Sequence, residues 1–200
     1  IAPVVLTDIG ANADAKPEYL LQFAKMARVY ATRILGIESP RTGLLNIGSE
    51  DTKGSQLALD SYRLLHDELE GFMGNAEGND ILAGRFDIIV TDGFTGNVTL
   101  KTIEGTAKTV FDQLKAIFSS SLKGKLAAVA VMPGLRELKN RLDANNTGGA
   151  PLLGLKGACI IGHGSSSAIG IANGIAVAAR FVREDIAKHI AEAIASDQSQ

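Results

Sequence analysis

The residues best suited to chemistry lie between Asp87 and Lys101. The β-branched run from Ile88 to Val90 predicts a buried strand, and a polar turn with two glycines follows it. A helical segment, 100–118, comes next. Unpaired N–H groups and the helix dipole attract anions to such a helix N-terminus. The stretch fits an anion site, and equally a plain strand–turn–helix connection in which Asn97 is the N-cap.

Similar polar turns follow other apolar runs of the chain. They lie at 7–12, 48–54 and 162–167 and are rich in Gly, Asn, Asp, Ser and Thr. Repetition of strand, polar glycine turn and helix predicts a mostly parallel sheet with helices on both faces, a three-layer α/β/α sandwich. Ligands of such sheets bind outside the carboxyl ends of the strands, so the turns together predict a small-molecule site.

The pattern of apolar residues places the individual elements. Pro17 suits the first turn of a helix, and the apolar spacing from Leu20 to Ile34 continues it until Gly36. The expected strands are 4–6, 43–47, 72–75, 88–90 and 158–161, and the expected last helix is 168–195.

Residues 117–145 depart from this alternation. The segment is helical in composition to Leu142, is interrupted at Pro133-Gly134, and has an apolar middle at 126–132. Its basic flanking residues are Lys123, Lys125, Arg136, Lys139 and Arg141. An apolar tip with basic flanks fits a partner subunit or a membrane interface, and a helical hairpin covering its own domain is the alternative.

The bulk composition is that of one soluble α/β domain. The chain has 200 residues, 46% hydrophobic and 21% charged, with a net charge of −2, which argues against nucleic acid as a partner. A single cysteine and the lack of an apolar run of spanning length favour the cytoplasm. The chain begins at Ile1 and passes almost directly into a strand, so we expect it to be a fragment whose earlier strands are missing.

Several common chemistries lack their motifs. There is no Walker loop, no GxGxxG and no G-x-S-x-G elbow, and His66, His163 and His189 are scattered without ligand spacing. We expect Cys159, inside an apolar run, to be a core residue. The sequence therefore predicts neither a metal nor a cofactor.

With these motifs absent, we expect an enzyme that works by positioning its substrates and stabilising charge. Lys53 could neutralise a phosphate or an oxyanion, and Asn97 could donate its side-chain amide to a carbonyl oxygen. A solvated surface lysine is the alternative for Lys53. The aspartates Asp8, Asp51 and Asp92 could order these donors or simply cap turns.

At these residues the sequence resembles the PlsX-type phosphate acyltransferases of bacterial phospholipid synthesis. The resemblance spans essentially the whole chain. Its blocks are Asp8-Ile9-Gly10-Ala11-Asn12, Leu44-Leu45-Asn46-Ile47-Gly48 with Lys53-Gly54, Thr91-Asp92-Gly93-Phe94-Thr95-Gly96-Asn97-Val98, Gly148-Gly149-Ala150 and Gly162-His163-Gly164-Ser165-Ser166. Two motifs from the family's N-terminal part, Asp-Ala-Met-Gly-Gly-Asp and Asn-Thr-Gly, are absent, which agrees with a fragment.

The resemblance implies a specific reaction. The family moves a long-chain acyl group from acyl carrier protein to inorganic phosphate, and its fold resembles isocitrate and isopropylmalate dehydrogenases. It implies a homodimer with peripheral membrane contact, here through 126–133, and Lys53 and Asn97 match its catalytic residues. The implied substrate-binding residues are Asp8, Asn12, Asp51, Asp92, Gly93, Thr95, Gly96, His163, Gly164 and Ser165.

Two other functions remain open at this point. One is transfer from acyl-coenzyme A by a phosphotransacetylase-like enzyme. The other is a non-catalytic, membrane-associated scaffold for lipid-synthesis enzymes.

Overall fold

The computed structural model describes residues 3–142, 148–164 and 166–195. Strands and helices alternate through the first half of the chain, as expected. The elements are β1 (Val5–Thr7), α1 (Pro17–Arg33), β2 (Thr42–Leu45), α2 (Gln56–Glu68), β3 (Phe72–Ala76), a 3-10 turn (Gly78–Asp80), β4 (Ile88–Val90), α3 (Gly93–Ser119), α4 (Leu122–Leu142), β5 (Ala150–Pro151), β6 (Ile160–Ile161), α5 (Ala168–Arg183) and α6 (Ile186–Ala195).

Within the described residues, β1, β4, β2 and β3 form one sheet in that order, and every pairing is parallel. This confirms the predicted parallel sheet and agrees with the three-layer α/β/α class. The strand expected at 158–161 is present as β6, but it pairs antiparallel with β5 in a separate two-stranded sheet and does not join the parallel sheet. Gly157 and Gly162 bracket this segment and leave only two residues in strand conformation.

The core of the parallel sheet is covered by α1. The helix buries Leu20, Ala24, Ala27 and Ala31, which are spaced by three or four residues and so share one face. The three alanines have small side chains, so the helix backbone can approach the sheet closely. Ile88, a member of the same cluster, is completely buried in β4.

The chain groups into two compact units. The first contains the residues up to Leu100, Leu153–Gly157 and the residues from Phe181 on, and it holds the parallel sheet with α1, α2 and α6. The second contains Lys101–Leu152 and Ala158–Arg180, and it holds α4, β5, β6 and most of α3 and α5.

Three helix boundaries differ from those expected. α3 begins at Gly93, so the predicted polar turn is its first turn. α4 continues through Pro133, and the break lies before it, where the Ser121 hydroxyl accepts from the Gly124 N–H at 3.0 Å and caps a new helix. The expected final helix is divided at Asp185, whose φ of 46° ends α5.

Candidate functional site

The carboxyl ends of β1 and β4 are joined beyond the last strand residues. The Thr91 N–H donates to the Thr7 carbonyl at 2.7 Å, and the Asp8 N–H donates to the Thr91 carbonyl at 2.9 Å. The turns that follow the two strands therefore start side by side. We call this region, residues 8–12 and 91–97, the β1–β4 edge.

Asp8 organises the turn after β1. Its carboxylate accepts the N–H groups of Gly10 and Ala11, both at 2.8 Å, and that of Asn12 at 2.7 Å. The Asn12 side-chain amide donates to the same carboxylate at 2.9 Å. Asp8 and Asn12, both predicted substrate-binding residues, thus form one closed hydrogen-bonded unit.

These contacts determine the charge state of Asp8. Burial alone raises the pKa of the carboxyl group, but the hydrogen bonds from Ala11, Asn12 and Gly10 outweigh it and hold the pKa below the ordinary 3.8. The side chain is therefore a carboxylate at neutral pH. With four donors already bound, it serves the turn rather than acting as a proton acceptor.

Asp92, not Asn97, caps α3. The Asp92 carboxylate accepts the Thr95 N–H at 2.8 Å, the bond of an N-cap residue to the third helical residue. The Gly96 N–H donates to the Asp92 carbonyl and the Gly93 N–H donates to the Asn12 carbonyl, both at 2.9 Å. Because these three N–H groups are used by the fold, any substrate contact of these residues has to come from other atoms.

The two glycines of the first helical turn are required by close packing. A Cβ on Gly93 would lie 2.6 Å from the Asn12 carbonyl oxygen, and one on Gly96 would overlap the carbonyl oxygen of Asp8. The glycines therefore let α3 pack directly on the turn after β1. This is a structural reason for the glycine spacing, beside the anion-binding reason that the sequence suggested.

Asn97 lies in the second turn of α3 and joins the helix to the turn after β1. Its amide nitrogen donates to the Ile9 carbonyl at 2.9 Å. A Cβ on Gly10, whose φ is +138°, would lie 3.0 Å from that nitrogen. Asn97 is nevertheless solvent-exposed, and an amide has a second N–H donor in addition. The side chain is held at the β1–β4 edge with donor capacity beyond the Ile9 contact.

Two asparagines that the sequence analysis did not select hold the loop after β2. The Asn46 amide donates to the Lys53 carbonyl at 3.0 Å, and its oxygen accepts the Ile47 N–H at 2.8 Å. Asn75, only 2% exposed, donates to the Glu50 carbonyl at 2.7 Å. Polar asparagines directly at the ends of apolar strands were the signal that could have identified both.

Lys53 belongs to this clamped loop. Its N–H donates to the Glu50 carbonyl at 3.2 Å, and its side chain is exposed, as is that of Asp51. The next residue, Gly54, has a φ of +104°, and a Cβ there would lie 2.5 Å from the Asn46 side-chain oxygen. Since β2 is the parallel neighbour of β4, Lys53 and Asn97 follow the carboxyl ends of adjacent strands.

The remaining predicted residues lie elsewhere in the chain. His163 and Gly164 belong to the second unit and are exposed. Ser165 lies outside the described residues. Cys159 is half-buried rather than a full core residue. Among the residues that the structure describes, no group of three or more His, Cys, Asp or Glu side chains could hold a metal ion.

The apolar segment of α4 is open to solvent. Leu126 is 68% exposed, Val129 75% and Val131 42%. This agrees with the expectation that the segment lies outside the core of its own chain. The side chains of Lys139 and Arg141, two of the predicted basic flanking residues, lie outside the described set. No described helix is long and apolar enough to cross a membrane.

Comparison with known proteins identifies the family. The profile of a family described as fatty acid synthesis protein matches residues 2–189, so the chain belongs to that family. Phosphate acyltransferase from Anoxybacillus flavithermus is 47% identical over 191 residues, which cover 96% of this chain and 58% of that protein. The phosphate acyltransferase from Bacillus subtilis is 43% identical over 196 residues, which cover 98% of this chain and 59% of that protein.

The similarity covers nearly all of this chain but only part of the length of these relatives. A third phosphate acyltransferase, from Geobacillus sp., is 48% identical over 192 residues and is matched over 58% of its length. The chain thus spans less than two thirds of each of these relatives. The family resemblance seen in the motifs is confirmed.

Proposed function

We propose that the protein is a phosphate acyltransferase that moves a long-chain acyl group from acyl carrier protein to inorganic phosphate. The product, an acyl-phosphate, would be a donor for phospholipid synthesis. The observation that carries the proposal is the identity of 43–48% to named phosphate acyltransferases across nearly all of this chain. The placement of Lys53 and Asn97 after adjacent parallel strands supports it.

The proposed reaction needs no protein nucleophile. A phosphate oxygen attacks the thioester carbonyl carbon, the new C–O bond forms, and the C–S bond then breaks to release the carrier's thiol, which takes up a proton. Lys53 would bind the phosphate and reduce its repulsion from the carbonyl oxygen. The second amide N–H of Asn97 would stabilise the oxyanion, an effect worth about 3 kcal/mol for one donor.

The other predicted residues would support these two. Asp8, Asn12 and Asp92 hold the β1–β4 edge through the hydrogen bonds described above. We propose substrate contacts for Gly93, Thr95 and Gly96 through atoms other than their bonded N–H groups. For Asp51, His163, Gly164 and Ser165 the proposed role in substrate binding rests on the family resemblance alone.

The test uses the complete protein with palmitoyl-acyl carrier protein and phosphate. Acyl-phosphate is trapped with hydroxylamine and measured as the hydroxamate. Lys53→Ala and Asn97→Ala should each lower kcat by about a hundredfold, as expected for loss of one charge-stabilising group. Lys101→Ala is the matched control, because Lys101 is exposed and paired with Glu104 at 2.8 Å.

Either of two results would contradict the assignment. Unchanged turnover in the Lys53 and Asn97 variants would remove both as catalytic residues. Transfer from palmitoyl-coenzyme A but not from the carrier protein would favour a phosphotransacetylase-like enzyme.

We further propose that the exposed apolar part of α4, residues 126–133, mediates homodimer and peripheral membrane contact in the cytoplasm. The support is the exposure of Leu126 and Val129 on a helix that also carries basic residues. Replacing Val129 and Val131 by Ser should reduce co-sedimentation with anionic phospholipid vesicles, and sedimentation velocity should show whether the dimer is also lost. The scaffold function would be favoured if the wild-type protein showed no turnover and the Lys53→Ala variant still bound vesicles.

A further inference from the structure

A groove between α1 and α6 brings several basic side chains together. Its volume is about 310 Å³. Lys25, Arg28 and Arg33 of α1 line it together with His189 of α6. Val29 and Thr32 contribute the remaining wall of α1. None of these residues belongs to the motifs that predicted the catalytic site.

The helical geometry explains why the basic residues converge. On α1 the positions 25, 28–29 and 32–33 are one turn apart and therefore lie on one face. Ile186 and Ile190 of α6 are both buried and hold that helix against the rest of the first unit. His189 is consequently fixed beside the groove, with its ring 3.3 Å from Glu192.

The groove lies toward the end of the sheet where the strands begin, whereas the proposed catalytic residues follow the carboxyl ends of the strands. α1 starts after the carboxyl end of β1 and returns toward the amino ends of the strands. Arg28 near its far end donates to the carbonyl of Pro40, which precedes β2, at 2.9 Å. Asp8 and Asn97 follow the carboxyl ends of the strands instead. A ligand in the groove would therefore be distinct from the substrates of the β1–β4 edge.

Among the described residues, the lining contains Lys25, Arg28 and Arg33 and no carboxylate side chain. Carboxylates outside the lining contact two of its members, with Glu68 3.9 Å from Lys25 and Glu192 3.3 Å from His189. Burial lowers the pKa of Arg28, and the negative charge of Glu70 opposes this shift. Arginine stays protonated in proteins, so Arg28 and Arg33 are both cations at neutral pH.

We propose that this groove binds the phosphate group of a small ligand, either inorganic phosphate or a phosphate monoester. Guanidinium groups match the geometry of phosphate oxygens, and a lysine adds a point charge. The volume is at the lower end of the range for small-molecule sites, about 300 to 1,000 Å³, which fits a single small anion. The site is separate from the proposed acyl transfer and does not depend on it.

The three histidines provide a local test. His189 reports on the groove, exposed His66 on α2 is a remote control, and His163 reports on the 163–165 turn. The imidazole C–H signals of the protein are followed by NMR at pH 7 and constant ionic strength. Inorganic phosphate and methyl phosphate are titrated separately, with chloride as the ionic-strength control.

We expect a saturable shift of the His189 signal with at least one of the two probes and no shift of His66. Which probe binds more tightly distinguishes a free phosphate from a monoester. Arg33→Gln should weaken the apparent affinity at least tenfold. Arg63→Gln is the matched control, because Arg63 lies on α2, is 76% exposed and has Asp60 at 3.6 Å.

Three results would overturn the proposal. One is an unmoved His189 signal with both probes, whether or not His163 responds. Another is an equal response to chloride, and the third is an unchanged affinity in Arg33→Gln. If that variant does not fold, Arg33→Lys keeps the charge without the guanidinium fork and should still weaken binding. Because activity is not measured, the outcome is independent of the proposed acyl transfer.

Discussion

Replacing Asp8 by Asn should destabilise the protein far more than its conservative chemistry suggests. The carboxylate of Asp8 is 7% exposed and accepts hydrogen bonds on both oxygens. An amide keeps only one of these acceptors, so two of the donors from the turn after β1 would meet an NH₂ group instead. These hydrogen bonds are only part-buried, so each lost one costs about 1 kcal/mol and not the penalty of a fully buried donor. The expected loss is therefore about 2 kcal/mol in the free energy of unfolding.

Urea denaturation followed by circular dichroism at pH 7 measures this difference. Asp92→Asn is the matched control, because Asp92 also ends a strand but acts as an N-cap, where Asn is about as good as Asp. We expect the control to lose less than about 1 kcal/mol, mainly the charge at the helix N-terminus.

The pH dependence gives a second, independent check. Because the folded-state pKa of Asp8 lies below its ordinary value of 3.8, the stability that its ionisation contributes is fully present above that value. It is lost as the pH falls through the lower folded-state pKa, where protonated Asp8 comes to resemble Asn. The difference between wild type and Asp8→Asn should accordingly shrink in acid. An Asp8→Asn cost no larger than that of the control, or a difference that persists unchanged to pH 2, would refute the reasoning.

Three further predictions follow from the packing of α3 and the hydrogen bonds of the loop after β2. Gly96→Ala should lose about 3 kcal/mol or more of unfolding free energy in thermal denaturation, because its Cβ would overlap the Asp8 carbonyl oxygen. Gly105→Ala, in the same helix with nothing within 4 Å of the new Cβ, should instead gain about 0.5–1 kcal/mol, and an equal effect of the two changes would contradict the packing argument. Asn46→Ala removes the hydrogen bond to the Lys53 carbonyl, so it should raise the KM for phosphate several-fold in the hydroxylamine assay, and an unchanged KM would show that the bond does not position Lys53.

The strand and helix pattern was largely readable from the sequence because it depends on local periodicity. The four parallel strands and α1 lie within a few residues of their predicted positions. Errors occurred where one side chain or one backbone angle decided a boundary. The Ser121 hydroxyl caps the start of α4, and the positive φ of Asp185 ends α5, and composition reveals neither. Pro133 was overrated as a helix breaker, since α4 passes through it.

The candidate site was likewise predictable from the sequence only in part. Sequence motifs alone selected Asp8, Lys53, Asn97 and the surrounding glycines, and their roles in the reaction stay a prediction. They offered Asn97 as an N-cap candidate where the structure has Asp92, because a motif does not show which side chain reaches the free N–H groups. Asn46, although it lies in a quoted motif, and Asn75 were not selected as candidate site residues. Their partners are loop carbonyls, one of them 25 positions away in the chain.

The sequence by itself determined the family, the parallel α/β class and the residue types gathered after the strands, because these depend on composition, periodicity and ordered motifs. Only the tertiary structure decided which of those polar groups are used by the fold. The glycines of α3 pack on the turn after β1, and Asp8 is bound by four donors of its own turn. The tertiary structure also placed the basic residues of α1 beside His189, more than 150 positions away in the sequence. Such neighbours come together through packing between distant segments, which no local pattern records.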